Sequence, residues 1–359
     1  MNWSPSVSSS HHSPSGSLPL SQAIVGFLNS KIAEGLSSRT IESYTADLTK
    51  WVERTGDRDI SKVSGQDVTA YLAWLRTDYT PHRFGGKDHP LSPKTLRNVW
   101  MSFSSFFKWA EPELGIPYPM REVPIPRFQK SQVPEFTREE VERMLKACLY
   151  KREANTILRR AFVMRRSTAA RDTALLLLLL DTGVRASELC ALKVGDLDLK
   201  TGKVEIKNGV PGGAKGGKGR TVYMGRSARR AIWHYLSKRE DGRDQDAPLF
   251  LVSGNRLLRP NALLHVIEGI GKRAGVSSAF PHKFRHTFAI TYLRSGGDVF
   301  TLQQILGHGS LDMVRLYRVS KSGTNQGSEL RHTSSASAVR RPPAASACAA
   351  DGAPLAFCV

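Results

Sequence analysis

Two residues in the C-terminal third of the sequence, His282 and Arg285, have side chains that could carry out chemistry together. They stand three positions apart in a segment with apolar residues at helical spacing, namely Phe284, Phe288, Ala289, Tyr292 and Leu293. Residues three apart share one face of a helix, so the spacing predicts that both side chains project from the same face. That face would offer a proton carrier beside a permanent cation, which suits proton transfer next to a bound anion.

A second helix is predicted to position His308. Asp298 can cap its first turn, and Gly307 is a typical residue for its end. Between them the apolar stripe consists of Val299, Leu302, Ile305 and Leu306. His308 therefore follows the helix end directly and is expected on a turn.

A tyrosine, Tyr317, lies nine residues after His308. In an unbroken helix nine residues make about two and a half turns and would put the two side chains on opposite sides. Gly309-Ser310 supplies a break, with Ser310 as the N-cap of a new short helix that can return Tyr317 toward His308. A phenol ionises near pKa 10, so Tyr317 can act as a nucleophile when cations or a base assist it.

These spacings resemble the C-terminal signature of the tyrosine recombinase (phage integrase) family, which includes the Xer recombinases. The matching residues are His-x-x-Arg at 282–285, Leu-Gly-His at 306–308, and the tyrosine nine residues on. Upstream, the sequence DTGVRASEL at 181–189 matches the family's T-G-x-R-x-x-E-L box. The resemblance implies that Arg185 is the first catalytic arginine.

The family also has a catalytic lysine on a β-hairpin between these two boxes. Residues 203–206 and 221–224 have the composition of two short strands around such a hairpin. By the family's G-K-G-x-K-x-R pattern the matching lysine is Lys215, with Lys218 following it and Arg220 closing the pattern.

The resemblance implies that Tyr317 attacks a DNA phosphodiester and forms a 3′-phosphotyrosyl link. Arg185 and Arg285 would stabilise the charge that builds on the phosphate, because a guanidinium holds two oxygens in a forked geometry. A free 5′-hydroxyl can then attack the link, so strands are rejoined without ATP, metal or any other cofactor.

The three other site residues have roles in proton transfer and hydrogen bonding. His308 would donate a hydrogen bond to the same phosphate, and His282 would take the tyrosine proton and later return it. Lys215 is the candidate acid toward the leaving 5′ oxygen. Glu188, three residues after Arg185, is expected to cap or orient within its helix rather than to act in the chemistry.

Several functions remain open for these residues. A type IB topoisomerase uses the same tyrosine chemistry on a single duplex, and a relative that has lost catalysis would bind DNA without forming an adduct. Among recombinases, integration or transposition of a mobile element competes with Xer-type resolution of replicon dimers. The long inserted loops expected at 77–90 and 151–171 favour the integrase of a mobile element, and we expect the second of them, which is strongly basic, to contact phosphates.

Composition is consistent with a nucleic-acid partner. The chain has 52 Lys and Arg residues against 32 Asp and Glu, a net charge of +20, which favours binding to a polyanion. The longest apolar run, 174–180, is far shorter than the roughly 20 residues of a transmembrane helix, so we expect no membrane partner. Four scattered cysteines and no signal-peptide pattern indicate a cytoplasmic, nucleoid-associated protein without a disulfide framework or metal site.

The pattern of elements predicts a mainly α fold with a small β-hairpin in the catalytic domain (α+β). We expect a two-domain DNA clamp made of an N-terminal helical bundle and a C-terminal tyrosine recombinase domain. The expected segments are a disordered leader at 1–17, a helical, SAM-like core-binding domain at 18–115, a proline-rich linker at 116–134, a catalytic domain at 135–320 and a disordered tail at 321–359.

The remaining expectations concern partners and come from the resemblance alone. The substrate would be double-stranded DNA. The protein would act as a homo-oligomer on it, with two protomers at each site and a tetramer in the synapse. An accessory directionality factor is a further partner that such enzymes use.

Overall fold

The computed structural model describes most of the chain between residues 17 and 307. The described ranges are 17–81, 89–129, 134–150, 154–156, 159–162, 165–207, 219–252 and 255–307. The chain divides into two compact units, residues 1–131 and residues 132–359. Each unit has its own apolar core.

The described part of the first unit contains four α-helices. They are α1 (Leu20–Ala33), α2 (Ser38–Thr55), α3 (Gly65–Thr77) and α4 (Pro93–Leu114). Two of these helices begin at serine caps: the Ser37 hydroxyl accepts a hydrogen bond from the Thr40 amide, and Ser92 caps α4 with Pro93 at its first position. A helix cap of this kind satisfies amide groups that the first turn leaves without partners.

Aromatic side chains dominate the core of the first unit. The Phe103 and Trp51 rings pack edge to face with centroids 4.9 Å apart, and Phe103 meets Tyr71 in the same way at 5.7 Å. Phe27 and Phe106 make a further edge-to-face pair at 5.5 Å. Aromatic pairs favour this edge-to-face geometry, because the positive edge of one ring meets the negative face of the other.

The beginning of the predicted linker packs on the first unit. A single 3₁₀ turn, Pro119–Arg121, buries Met120, and Val123 is buried two residues after that turn. The Trp100 indole donates a hydrogen bond to the Val123 carbonyl at 3.3 Å. The chain is therefore anchored to the first unit as far as Val123.

The second unit is mainly helical and carries three antiparallel two-stranded hairpins in its described part, so the predicted fold class is confirmed. Its helices are α5 (Arg138–Leu149), α6 (Ala169–Thr182), α7 (Ala186–Ala191), α8 (Arg226–Leu236), α9 (Pro260–Ala274), α10 (Pro281–Arg294) and α11 (Val299–Leu306). Its strands are β1 (Ala154–Thr156), β2 (Arg159–Phe162), β3 (Lys203–Ile206), β4 (Arg220–Tyr223), β5 (Leu251–Val252) and β6 (Arg256–Leu257).

Helix α6 is the centre of the second unit's core. The leucines at 175, 176, 178, 179 and 180 are all buried, and α6 packs against α5, α8 and α10. This confirms that the apolar run is a core helix. No helix in the described ranges is both long enough and apolar enough to cross a membrane.

The hairpin predicted between the two sequence boxes is also confirmed. Strands β3 and β4 pair in register, with Val204 opposite Val222 and Ile206 opposite Arg220. The three apolar members of these pairs are buried in the core. The β1–β2 hairpin, by contrast, has no alternating apolar pattern in the sequence, and its strands were not predicted.

Candidate active site

Helix α10 places His282 and Arg285 one turn apart, but in different environments. The His282 side chain is exposed, whereas Arg285 is only 1% exposed. Arg285 Nη1 donates to the Gly183 carbonyl at 2.8 Å, and Nη2 donates to the Leu306 carbonyl at 2.5 Å. Backbone carbonyls from two distant segments therefore fix the buried guanidinium.

The turn at Gly183 makes the first of these contacts possible. Gly183 ends α6 in the left-handed conformation (φ +58°). A Cβ atom there would lie 2.5 Å from the Phe288 ring, so the close approach of α6 and α10 requires glycine. The chain then passes through Val184 to Arg185 and enters α7.

Arg185 is the N-cap residue of α7, and Glu188 holds it by two hydrogen bonds. The Arg185 amide donates to Glu188 Oε2 at 2.8 Å, and Arg185 Nη1 donates to Oε1 at 2.7 Å. Arg185 Nη2 donates to the Gly307 carbonyl at 2.7 Å. The prediction that Glu188 caps and orients is thus confirmed by these contacts.

A third guanidinium joins this cluster from strand β4. Arg220 makes a forked ion pair with Glu188, with Nη1 2.9 Å from Oε1 and Nη2 2.7 Å from Oε2. Its Nε donates to the Ile305 carbonyl at 2.6 Å. In the sequence, Arg220 is marked only as the last residue of the family pattern. The available signal was its position two residues before Val222, because residues two apart in an extended strand share one face and a buried Val222 points Arg220 toward the core.

The three guanidiniums thus meet consecutive carbonyls, those of residues 305–307, at the C-terminal end of α11. The last carbonyls of a helix have no partner within the helix and carry the negative end of its dipole, so cations are favourable there. The next residue in the chain is His308. The three guanidiniums therefore fix the backbone directly before the segment that contains His308 and Tyr317.

The Glu188 carboxyl is ionised in this site. Its side chain is 0% exposed, and burial by itself would raise its pKa. The hydrogen bonds from the Arg220 side chain and the Arg185 amide outweigh burial and lower the pKa from 4.5 to about 2. Arg185 and Arg220 share this one carboxylate. The cluster of two guanidiniums and one carboxylate therefore keeps a net positive charge, which can attract a phosphate.

The structure brings together two of the six predicted catalytic residues, Arg185 and Arg285, through the adjacent carbonyls of Gly307 and Leu306. His282 lies on the same helix as Arg285. Lys215, His308 and Tyr317 lie outside the described residues. Within the described ranges, no group of three or more His, Cys, Asp or Glu side chains could hold a metal ion.

Comparison with known families agrees with this fold. The pattern of the phage integrase family matches residues 135–323, and that of the phage integrase N-terminal SAM-like domain matches residues 26–114. The first match covers more than half of the chain. The chain therefore belongs to the phage integrase family, and the predicted enzyme class, a tyrosine recombinase that breaks and rejoins DNA, is confirmed.

Individual relatives are similar over most of their length. Tyrosine recombinase XerA of Pyrococcus furiosus is 27% identical over 288 residues, which cover 79% of this chain and 84% of XerA. Tyrosine recombinase XerD of Oceanobacillus iheyensis is 28% identical over 304 residues, covering 80% and 89%. The Tn1549 transposon integrase (residues 82–397), solved with circular intermediate DNA, has the same fold, with a TM-score of 0.66, 18% identity and coverage of 86% and 100%.

Proposed function

We propose that this protein is a site-specific recombinase that cleaves and rejoins strands of double-stranded DNA through a 3′-phosphotyrosyl intermediate, without metal or ATP. The observation that carries this proposal is the arginine arrangement at the end of α11. Arg185 and Arg285, from two separate elements, are held by the carbonyls of Gly307 and Leu306 directly before His308. Two oriented guanidiniums suit a phosphate that gains charge in a transition state.

In the cleavage step the Tyr317 oxygen attacks the scissile phosphorus, and the bond from phosphorus to the 5′ oxygen breaks. The phenol proton passes to His282, and Lys215 gives a proton to the leaving 5′ oxygen. The phosphotyrosyl bond conserves the energy of the phosphodiester. A 5′-hydroxyl from another strand then attacks the same phosphorus and releases Tyr317.

Arg185, Arg285 and His308 stabilise the pentacoordinate phosphate in this mechanism. Each donates hydrogen bonds to non-bridging oxygens, and these bonds strengthen as negative charge builds. Glu188 acts indirectly, because its carboxylate is bonded to Arg185 at both the backbone amide and the guanidinium.

The proposed domains act as a clamp on duplex DNA, with residues 18–115 as the core-binding domain, 116–134 as the linker and 135–320 as the catalytic domain. The net charge of +20 supports DNA as the partner. The fold similarity to an integrase solved with DNA supports it as well. Assembly into a tetramer in the synapse and a directionality factor complete the proposed set of partners.

For the biological role we propose integration or transposition of a mobile element, on the basis of the long inserted segments at 77–90 and 151–171. Resolution of replicon dimers is the second candidate. The two relatives named above, which match 79% and 80% of this chain, are Xer recombinases. A plasmid with two directly repeated candidate sites, and a donor plasmid carrying the element ends, would separate them. Excision of the repeat interval alone favours resolution, and insertion from the donor favours the mobile element.

The chemical proposal is tested with a nicked duplex that carries the DNA flanking the gene. The wild-type protein should form a denaturant-resistant protein–DNA adduct, and Tyr317→Phe should form none. Tyr223→Phe is a matched control, because Tyr223 is an exposed tyrosine of the same unit, and it should form the adduct normally. Site binding without an adduct would contradict the proposal and leave a binding-only protein. Efficient relaxation of a plasmid without the site would indicate a topoisomerase.

A further inference from the structure

We propose that Arg220 is a positioning residue of this active site, and that it fixes the C-terminal end of α11 to the carboxylate that orients Arg185. This inference rests on the proposed function and deepens it, since it assigns a role to a residue outside the six proposed catalytic side chains. The assignment follows from the contacts of one guanidinium with two parts of the site.

Arg220 faces protein atoms with all three of its nitrogens. Both Nη atoms bond the two oxygens of Glu188, and Nε bonds the Ile305 carbonyl. The side chain is only 10% exposed. Both partners of this guanidinium belong to the proposed site, so we assign the effect of Arg220 on the reaction to its contacts with Glu188 and α11.

The segments that Arg220 joins are the ones that lead to catalytic residues. Glu188 is bonded to Arg185, and the end of α11 leads into His308. Arg220 also begins β4, five residues after Lys215 in the sequence. One side chain therefore sets the mutual position of three segments that are far apart in the sequence.

Close packing at Gly307 supports this role. Gly307 ends α11 with φ +62°, and a Cβ atom at that position would lie 3.1 Å from Arg220 Nη1. The Arg220 guanidinium thus lies against the backbone at the end of α11, in the space that a side chain at position 307 would need. A lysine at position 220 would keep the charge but could not bond Glu188 through a fork and the carbonyl through a third nitrogen.

The chain offers a matched control in Arg239, which is also 10% exposed. Arg239 makes a forked pair with Asp241, at 2.8 Å from Nε and 2.6 Å from Nη2, and Nη1 donates to the Leu249 carbonyl at 2.7 Å. This is the same combination of a carboxylate and a carbonyl, but it involves none of the proposed site residues. Arg239→Lys therefore reports the structural cost of losing such an arginine.

The experiment compares Arg220→Lys with Arg239→Lys in the full chain. Single-turnover cleavage of the nicked duplex is measured at saturating protein, and the Kd for the same duplex is measured separately. Arg220→Lys should lower the cleavage rate constant about 100-fold, the effect expected from a misplacement of about 1 Å. Its Kd should change less than about threefold, and Arg239→Lys should cleave at the wild-type rate. Wild-type cleavage by Arg220→Lys, or an equal loss in Arg239→Lys, would overturn the proposal.

Hydrogen exchange gives a readout that does not depend on activity. Amides in a peptide covering residues 299–307 should exchange faster in Arg220→Lys than in either the wild type or Arg239→Lys. Unchanged protection there would overturn the positioning role even if cleavage fell. If the wild type forms no adduct at all, the proposed function fails, whereas the exchange result still decides whether Arg220 holds the helix end.

Discussion

The two units of this protein stabilise their interiors in different ways. Among the described residues, the buried polar side chains of the first unit are two serines, Ser102 and Ser104. The second unit buries charged side chains, namely Asp172, Glu188, Asp196, Lys283 and Arg285. Burying a charge is costly unless it is paired and hydrogen-bonded. In the second unit Asp172 and Glu188 pair with guanidiniums and Arg285 bonds two carbonyls, whereas the described part of the first unit buries no charged side chain to this degree.

The first unit relies on aromatic contact instead. Its edge-to-face pairs each contribute about 0.5–1.5 kcal/mol beyond the burial of apolar area. Such contacts tolerate changes of ionic strength and pH, because no charge takes part. The contrast predicts that the two units respond differently to substitution and to acid.

The largest effect is expected when the shared carboxylate is removed. Glu188→Gln leaves Arg185 and Arg220 without their anion, and breaking a buried pair in this way costs about 3–5 kcal/mol of unfolding free energy. Chemical denaturation of the full chain measures the loss. Asp241→Asn is the control, because Asp241 is 43% exposed and its pair with Arg239 should contribute at most about 1 kcal/mol. Equal losses in the two variants would contradict the view that burial makes the Glu188 cluster different.

A smaller effect is expected in the aromatic core. Phe103→Leu keeps an apolar side chain but loses the contacts with the Trp51 and Tyr71 rings, at an expected cost of about 1–3 kcal/mol. The adduct yield per folded molecule should stay at the wild-type level at saturating protein. A loss of cleavage in this variant would show that the core of the first unit also controls the chemistry.

Two glycines in left-handed conformations provide the next comparison. Gly115 ends α4 with φ +65° and Gly307 ends α11 with φ +62°, so alanine at either position should cost about 1 kcal/mol through backbone strain. A Cβ atom at Gly115 meets nothing within 4 Å, whereas at Gly307 it meets Arg220. Only Gly307→Ala should therefore slow cleavage, by roughly tenfold. Equal cleavage rates in the two variants would mean that contact with Arg220 does not matter.

The last comparison concerns acid. The pKa of Glu188 is lowered to about 2, so its contribution to stability is complete above pH 4.5 and is lost as pH falls toward 2. The pKa of Asp47 in the first unit shifts in the opposite direction. Burial raises this pKa above 3.8 and outweighs the Ser102 hydroxyl and Lys50, which lower it. The contribution of Asp47 to stability is therefore present at low pH and is lost as pH rises.

Denaturation at several pH values tests this difference. The stability of the wild type relative to Glu188→Gln should increase between pH 2 and 4.5. Relative to Asp47→Asn it should decrease as pH rises from 3.8. If both stability differences changed in the same direction with pH, the opposite pKa shifts assigned to Glu188 and Asp47 would be wrong.

Local signals in the sequence were enough to predict much of the fold. Asp298 caps the helix that its spacing predicted, and Ser37, Ser92 and Thr137 cap the starts of other helices in the same way. Caps and apolar periodicity act within a few residues, so they can be identified without knowledge of the tertiary structure. The β1–β2 hairpin was missed because its strands, ANT and RRAF, lack alternating apolar residues.

The active site was predictable as a set of residue types, but its geometry was not. The family pattern gave Arg185 and Arg285, and their connection through the carbonyls of residues 306 and 307 depends on how α6, α10 and α11 pack. The forked bond of Arg220 to Glu188 joins residues 32 positions apart. A bond over that distance leaves no local signal, because it exists only when both segments are folded together.

The packing of Val123 on the first unit has a consequence for DNA affinity. The next buried residue along the described chain is Phe136, so a tether of twelve residues (124–135) connects them in the sequence, and a chain of that length spans at most about 40 Å. In the proposed clamp, once one unit holds its half of a DNA site, such a short tether keeps the other at a local concentration in the millimolar range. Binding of the second unit is then an intramolecular event, and the tether increases avidity although it adds no contact of its own.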